Sequence, residues 1–459
     1  MAQPLPPLPC CHLNPAPAML RHKQHRQAAA ASCAANRGMD KMTVLISGAG
    51  IAGLTLGLTL HDLGVPFHIY EATQTLKPMG VGINLQPNAV RELIDLGLED
   101  ALSAIGVRTA QLGFYSKLGK TIWEEPRGQA AGYNWPQYSV HRGELQMMLY
   151  HALVERAGHD VITTGARATG YDHTSAGVRL HIEGGRSAEG TMLIAADGIH
   201  SAIRAQMYPN EGAPIWNGRI LWRATTRAPS FHGGAAMAMI GHDHLRIVAY
   251  PISQPDDAGI ATINWIAEKQ FDPAAAWNRE SWNRAADIAD FLPDFADWQF
   301  DWIDIPALIR GAEIVYEYPM VDRDPLPTWQ DGPVTLMGDA AHPTYPVGSN
   351  GASQAIVDAR IIGAQMLALG VTQHALAAYE TAVRPVTTAV AAANRAGGGP
   401  DGVLQQVEDL CGGDFTDINT VIPHEDMAAH AAKYKSIAGF SIEELNARPA
   451  TLPPGARIG

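Results

Sequence analysis

The stretch ISGAGIAGL, Ile46 to Leu54, decides the fold of this chain when it is read with the carboxylate Glu71 downstream of it. Gly48, Gly50 and Gly53 form G-x-G-x-x-G between an apolar run, Thr43 to Ser47, and a segment of helical character. Each glycine answers a separate requirement. Gly48 permits a tight turn, and Gly50, followed by Ile51 and Ala52, lets backbone N–H groups approach a pyrophosphate. Gly53 lets the helix pack close to the strand, and the helix N-terminus brings partial positive charge to the phosphates. A second apolar run, Phe67 to Tyr70, delivers Glu71 and Ala72, with the acid placed to accept hydrogen bonds from ribose hydroxyls. Strand, glycines, helix, strand and acid in that order predict a Rossmann-type α/β domain that binds a dinucleotide. The motif leaves NAD and FAD as equal candidates.

The rest of the chain bounds what such a domain can serve. Its 459 residues suffice for two or three units, and 46% hydrophobic with 17% charged residues describe a globular protein. A net charge of −13 argues against nucleic acid and anionic membranes as partners, since both reward excess Lys and Arg. Cys10, Cys11 and Cys33 lie in an N-terminal segment rich in Ala, Pro and His, and only Cys411 lies beyond it. No disulfide framework is expected, which suits a reducing cytoplasm. Residues 1–40 read as a disordered extension or a misplaced start, with Met39 or Met42 as the true one, in preference to a targeting peptide. The apolar run Val44 to Leu60 carries the glycine motif and is expected to be strand plus helix, not a membrane span.

From residue 41 to about Arg204 short apolar strands alternate with helical patterns, among them Asn88 to Leu96 and Gly143 to Arg156. Met192 to Gly198, MLIAADG, reads as a buried strand ending in an Asp-Gly turn. Residues 205–318 change character: RILWRATT, RIVAYPI and ATINWIAE predict a sheet with one buried face. Most tryptophans fall there, as suits walls around an apolar cavity, and Trp216, Trp222, Trp265 and Trp302 read as core or cavity residues. Residues 319–396 return to the first pattern, with a strand ending at Gly338 and helices over Ala352 to Leu369 and Leu376 to Arg395. The division expected is therefore a dinucleotide domain from 41–204 and 319–396, a substrate sheet from 205–318, and a helical tail from 397–459. That tail either packs on the core or forms a dimer contact. Only one glycine fingerprint is present, so any second dinucleotide binds without one. No metal-ligand spacing, Walker loop or nucleophile elbow is present.

Three further segments carry a resemblance. ADGIHSAIR contains Asp197, Gly198, Ser201 and Arg204; GDAAHPTYPVGSNGASQAI begins with Gly338 and Asp339; YSVHRGELQ supplies Arg142 and Gln146. With GAGIAGL, in this order, they resemble the class A FAD-dependent aromatic hydroxylases, the single-component monooxygenases of the para-hydroxybenzoate and salicylate hydroxylase type. The likeness covers roughly Met42 to Arg395. GVGINLQPNAV, YSVHRGELQMML, ADWQFDWIDI and YPMVDRDPLPTW look like the phenazine-carboxylate hydroxylase branch. Where salicylate-type enzymes show Gly-x-Gly and then Glu-Asp, this chain has Gly348, Ser349, Asn350, Gly351 and then Val357, Asp358, which argues against a salicylate-type substrate.

The resemblance implies an FAD monooxygenase that consumes NAD(P)H and O2 and hydroxylates an aromatic or heteroaromatic ring through a flavin 4a-hydroperoxide, acting as a monomer or homodimer. It places Asp339 on the ribityl chain, Asp197 under the Asp-Gly loop, and Arg142 and Gln146 among the groups that hold the flavin. Gly80, Val81 and Gly82 would approach the isoalloxazine ring through their backbone. Pro346 would shape the oxygen side, and Gly351 and Ala352 would direct a helix N-terminus at the reduced flavin. His342 and Tyr345 are the candidates for proton transfer, each with a plainer reading as a satisfied loop histidine and a pocket wall. The alternatives are another flavin oxidoreductase or halogenase on the same scaffold, although no W-x-W-x-I-P motif is present, and a redox-sensing flavoprotein without catalysis.

Overall fold

The four residues Val44–Ser47 are buried on both faces, the mark of a strand inside a parallel sheet covered by helices. In the computed structural model this strand is central to a six-stranded sheet. It pairs in parallel with Met192–Ala195 on one side and Phe67–Tyr70 on the other, with Val44 opposite Met192 and Phe67. Val334–Leu336 extends the parallel array beyond Met192–Ala195. The structure describes residues 43–272, 284–397, 399 and 401–458, so the expectations for residues 1–40 lie outside it. The consequence of the strand order is positional. Gly48, Glu71, Asp197 and Gly338 each follow the carboxyl end of one of four neighbouring parallel strands, the edge where such sheets bind ligands.

Helices cover the sheet where the patterns placed them: Ile51–Leu63, Pro87–Asp95, Arg142–Ala157, Gly351–Leu369 and Gln373–Arg395. The fingerprint helix Ile51–Leu63 lies so close to Gly351–Leu369 that a Cβ on Gly363 would come 2.4 Å from Thr59 Cγ2. Glycine there is a packing requirement.

An eight-stranded sheet forms the second layer of the architecture. Its long strands, Ile215–Pro229 and Ile260–Gln270, pair antiparallel, and Tyr316–Asp322 adds to the first. Two of its strands, Gln111–Tyr115 and Thr121–Pro126, come from residues that the pattern alone grouped with the dinucleotide domain. Alternation along Ile215–Pro229 sends Trp222 and Ala224 to one face and Leu221 and Arg223 to the other. Trp222 stacks on Phe291 with 4.4 Å between ring centroids, and Trp265, Phe295 and Trp298 join the same cluster. The buried tryptophans thus build a core behind the sheet. They do not wall the cavity in front of it, as the composition had suggested.

The tail forms the helices Gly402–Cys411, His424–Ile437 and Ile442–Ala447. Val403, Leu404, Val407 and Met427 pack on Leu112, Phe114, Ile122 and Met237, so the tail covers the sheet edge instead of standing free. No helix among the described residues is long and apolar enough to cross a membrane.

Candidate active site

The strand ends enclose a cavity of 640 Å³ bordered by Gly48, Gly50, Glu71, Ala72, Arg142, Gln146 and Asp197. Lys77 and Arg167 join Arg142 on its wall, giving three cationic side chains around a space suited to a pyrophosphate. The fingerprint helix begins with no side-chain cap and no acid in its first turn, so its N-terminal charge is left for a ligand. The glycines divide the work. At Gly48, φ is +102° and a Cβ would sit 2.5 Å from Ala196 O; at Gly53 a Cβ would sit 2.0 Å from Gly48 O. Around Gly50 a Cβ would meet nothing within 4 Å, which leaves bare backbone facing open space.

Glu71 is part of the loop it was expected to complement. Its Oε2 accepts from Ala49 N at 2.7 Å and its Oε1 from Thr73 N at 2.8 Å. A carboxylate has further lone pairs, so it remains an acceptor toward the cavity. Gln146 Nε2 donates to Ala49 O at 2.8 Å and steadies the same turn. Asp197 accepts from Ala202 N through Oδ2, whereas its Oδ1 is buried with no partner. Burial pushes the Asp197 carboxyl above the usual range. An unpartnered buried acceptor beside a cavity calls for a donor on whatever fills it.

A second cavity, of 220 Å³, lies between the Gly-Asp loop and the eight-stranded sheet. Asp339, Pro346, Gly351 and Ala352 border one end of it. Asp339 opens onto the cavity while protein encloses it elsewhere, and that enclosure raises its carboxyl pKa. Helix Gly351–Leu369 starts with neither a side-chain cap nor a first-turn acid. Its end therefore favours negative charge in the cavity by about 0.3–1 kcal/mol.

The remaining predicted residues sit one layer back. Gly338, at φ +60°, donates its N–H to Asp358 Oδ2 at 3.0 Å and lies close to Ala52. Gly82 N donates to Asn264 Oδ1 at 2.6 Å, and a Cβ there would meet the Asn264 side chain. Gly80 has φ +110° and its carbonyl accepts from His141, while Val81 is buried. None of Ala52, Gly53, Gly80, Val81, Gly82 and Gly338 borders either cavity.

Nor do the two candidates for proton transfer. His342 Nε2 lies 2.6 Å from Asp358 Oδ2, and its ring packs beside Trp329. Burial opposes a charge on His342, but Asp358 and then Asp339 outweigh it and hold the imidazole pKa above its ordinary value. Tyr345 is buried against Leu221 and Met320, with its hydroxyl toward Asp322, and burial pushes it up to about 12. In this geometry His342 is a hydrogen-bonded loop histidine, whereas Tyr345 packs behind the loop and is a wall of neither cavity.

Known proteins match most of this chain. A family model described as an FAD binding domain matches residues 41–394. The phenazine 1,6-dicarboxylic acid hydroxylase of Lysobacter antibioticus is 45% identical over 363 residues, 77% of this chain and 89% of that one. The chain belongs to the FAD-dependent aromatic hydroxylases. A 3-amino-4-hydroxybenzoate 2-monooxygenase of Streptomyces cremeus is 31% identical over 354 residues, 76% of this hydroxylase and 84% of that enzyme. The structure of Klebsiella pneumoniae HpxO with FAD and uric acid superposes with a TM-score of 0.64 at 21% identity, covering 86% of this chain and 92% of that one. At that identity the superposition speaks for the fold alone.

Within the hydroxylase, Arg204 joins two motifs. It is 1% exposed, and its Nη1 donates to Ala340 O and Ala341 O, each at 2.9 Å, while Glu211 takes the other side of the guanidinium. The Asp-Gly segment thereby carries the Gly-Asp loop. The wall opposite that loop was not legible in any motif. Leu221, Met237, Met239, Val248, Ile266 and Met320 make it apolar. Arg246 is balanced there by Glu268 at 2.6 Å and by Asp401. Arg223 is different: Nη2 donates to Gly82 O at 2.9 Å, but its buried Nε has no partner. Tyr250 lies beside it, and burial pushes that phenol up to about 12, which keeps it a neutral hydroxyl.

Proposed function

We propose that this hydroxylase acts on an anionic polycyclic heteroaromatic acid of the phenazine-carboxylate kind. The observation that carries the proposal is Arg223, a cation with an unpartnered Nε on the wall of a cavity with a largely apolar sheet face, whose other arginine is already balanced by two carboxylates. The relative at 45% identity, named for a phenazine dicarboxylic acid, supports the same substrate class. Met237, Met239 and Met320 provide an adaptable surface for a flat ring body, and the guanidinium fixes its acidic end.

FAD, once bound and reduced by NAD(P)H, supplies the oxygen-activating chemistry. The chain's own residues place and shield it. The backbone at Gly48 and Gly50, with Arg142, would hold the pyrophosphate, Glu71 the adenosine ribose and Asp339 the ribityl chain. Asp197 would accept from the cofactor through its free Oδ1. The helix end at Gly351 and Ala352 would steady negative charge at the flavin, and Pro346 with the methionine wall would keep water from the reacting ring.

The test is a screen of phenazine carboxylates, unsubstituted phenazine, salicylate and 6-hydroxynicotinate for stimulated NAD(P)H oxidation and a product carrying one added oxygen. Phenazine carboxylates should be turned over best. Arg223→Gln should lower their kcat/KM by about ten- to a hundredfold, the scale of a charge-assisted hydrogen bond, and leave the neutral ring little changed. A wild-type enzyme that prefers neutral phenazine or salicylate would overturn the proposal.

A further inference from the structure

We infer that Tyr434, in the tail, is a positioning residue for the loop that closes the flavin end of the substrate cavity. The inference rests on the reading that FAD occupies the strand-end cavity. Pro346, Val347, Gly348, Ser349, Asn350 and Gly351 border the 220 Å³ cavity and lead into the helix aimed at it. Their backbone is demanding: φ is +71° at Gly348 and +58° at Ser349, and a non-glycine residue in that region costs about 1–2 kcal/mol. Something outside the loop must hold it there.

Tyr434 does so. It is 3% exposed on the helix His424–Ile437. Its hydroxyl accepts from Asn350 Nδ2 at 2.6 Å and has Asn394 Oδ1 at 3.0 Å and Val347 O at 3.2 Å as acceptors for its single proton. Asn394 in turn donates to Thr344 Oγ1 at 3.1 Å and Tyr345 O at 3.3 Å. One phenol therefore meets the residue just before the helix, the Val347 carbonyl and the side chain that holds the earlier part of the loop. Gly348 is also constrained by contact, since a Cβ there would fall 2.2 Å from the Tyr434 hydroxyl oxygen. Among the described residues its hydroxyl is hydrogen-bonded to two asparagine amides and a backbone carbonyl, groups that do not exchange protons at neutral pH. Its work is geometric. Tyr434 lies outside residues 41–394, the part matched by the family model, so the brace comes from this chain's own tail.

The experiment compares the full chain with Tyr434→Phe and with Tyr133→Phe. The second removes a buried hydroxyl that donates to Phe440 O at 2.7 Å in the same tail and to no residue of the loop. Amide hydrogen exchange at residues 347–351 is measured without cofactor, and FAD affinity by quenching of flavin fluorescence. Tyr434→Phe should speed loop exchange about tenfold, as the loss of one or two net hydrogen bonds would, and weaken FAD binding several-fold. Tyr133→Phe should do neither. Loop exchange unchanged in Tyr434→Phe, equal acceleration in both variants, or acceleration with FAD affinity intact would each overturn the inference. A wild type that fails to bind FAD would count against the cofactor reading, while loop exchange would still report on the brace.

Discussion

Gly50 and Gly53 stand three residues apart in one motif, yet the space around them is opposite in kind. A methyl group at Gly53 would be driven into the Gly48 carbonyl, whereas one at Gly50 would enter empty space. Gly53→Ala should therefore destabilise the protein by about 1–3 kcal/mol through overpacking. Gly50→Ala should leave the melting temperature of the cofactor-free chain unchanged and weaken FAD binding about tenfold or more, because the pyrophosphate needs that space. Thermal unfolding without FAD and a flavin titration separate the two; a cofactor-free Gly50→Ala protein as unstable as Gly53→Ala would contradict this division. These glycines were legible because a turn, its helix and its acid lie within about thirty residues and each has its own local signature. Arg223 had no such signature. What distinguishes it is that no carboxylate among the described residues pairs with it, and partners on a sheet come from strands far away in sequence.

At the scale of elements, the buried strands and amphipathic helices could be read from pattern, although helix Gln373–Arg395 starts three residues before its pattern and strand Ile215–Pro229 runs beyond RILWRATT at both ends. The direction of side chains in a loop could not. The loop histidine illustrates the difference: nothing in GDAAHPTYP tells that His342 turns inward to Asp358 on the following helix. That pair has a measurable signature. Because the folded imidazole has a raised pKa, its contribution to stability is fully present below the unfolded value of about 6.5 and is lost as pH rises through the folded value. The stability difference between the wild type and His342→Gln, from urea unfolding at a series of pH values, should thus shrink as the pH climbs above about 6.5. A difference independent of pH would mean that the imidazole titrates alike in the folded and unfolded chain, and one that grows as the pH rises would mean that folding holds it neutral.

For the molecule as a whole, the tail is an integral layer. Leu404 is 1% exposed between the tail and the sheet, and Leu404→Ala should cost about 2–5 kcal/mol of stability, measured by the urea midpoint. A cost below 1 kcal/mol would mean that the tail is dispensable to the core. Sequence pattern found helices in the tail but could not choose between packing on the core and contact with a second copy, because an amphipathic face does not name its partner. The tryptophan-rich region was misleading for a related reason: a strand has two faces, and composition does not say which one looks toward the cavity.

The strand order also governs how the chain comes to be made. The edge proposed to receive the cofactor is composed from Val44–Ser47, Phe67–Tyr70, Met192–Ala195 and Val334–Leu336, and Arg204 ties its two later parts together. A ribosome that has released the second sheet has still not released the strand that completes the first. Until then the nascent chain carries an open, apolar strand edge and an arginine whose carbonyl partners do not yet exist. Such long-range pairing slows folding and prolongs exposure to aggregation. Flavin present early in synthesis would therefore find no finished seat until the strand Val334–Leu336 had emerged.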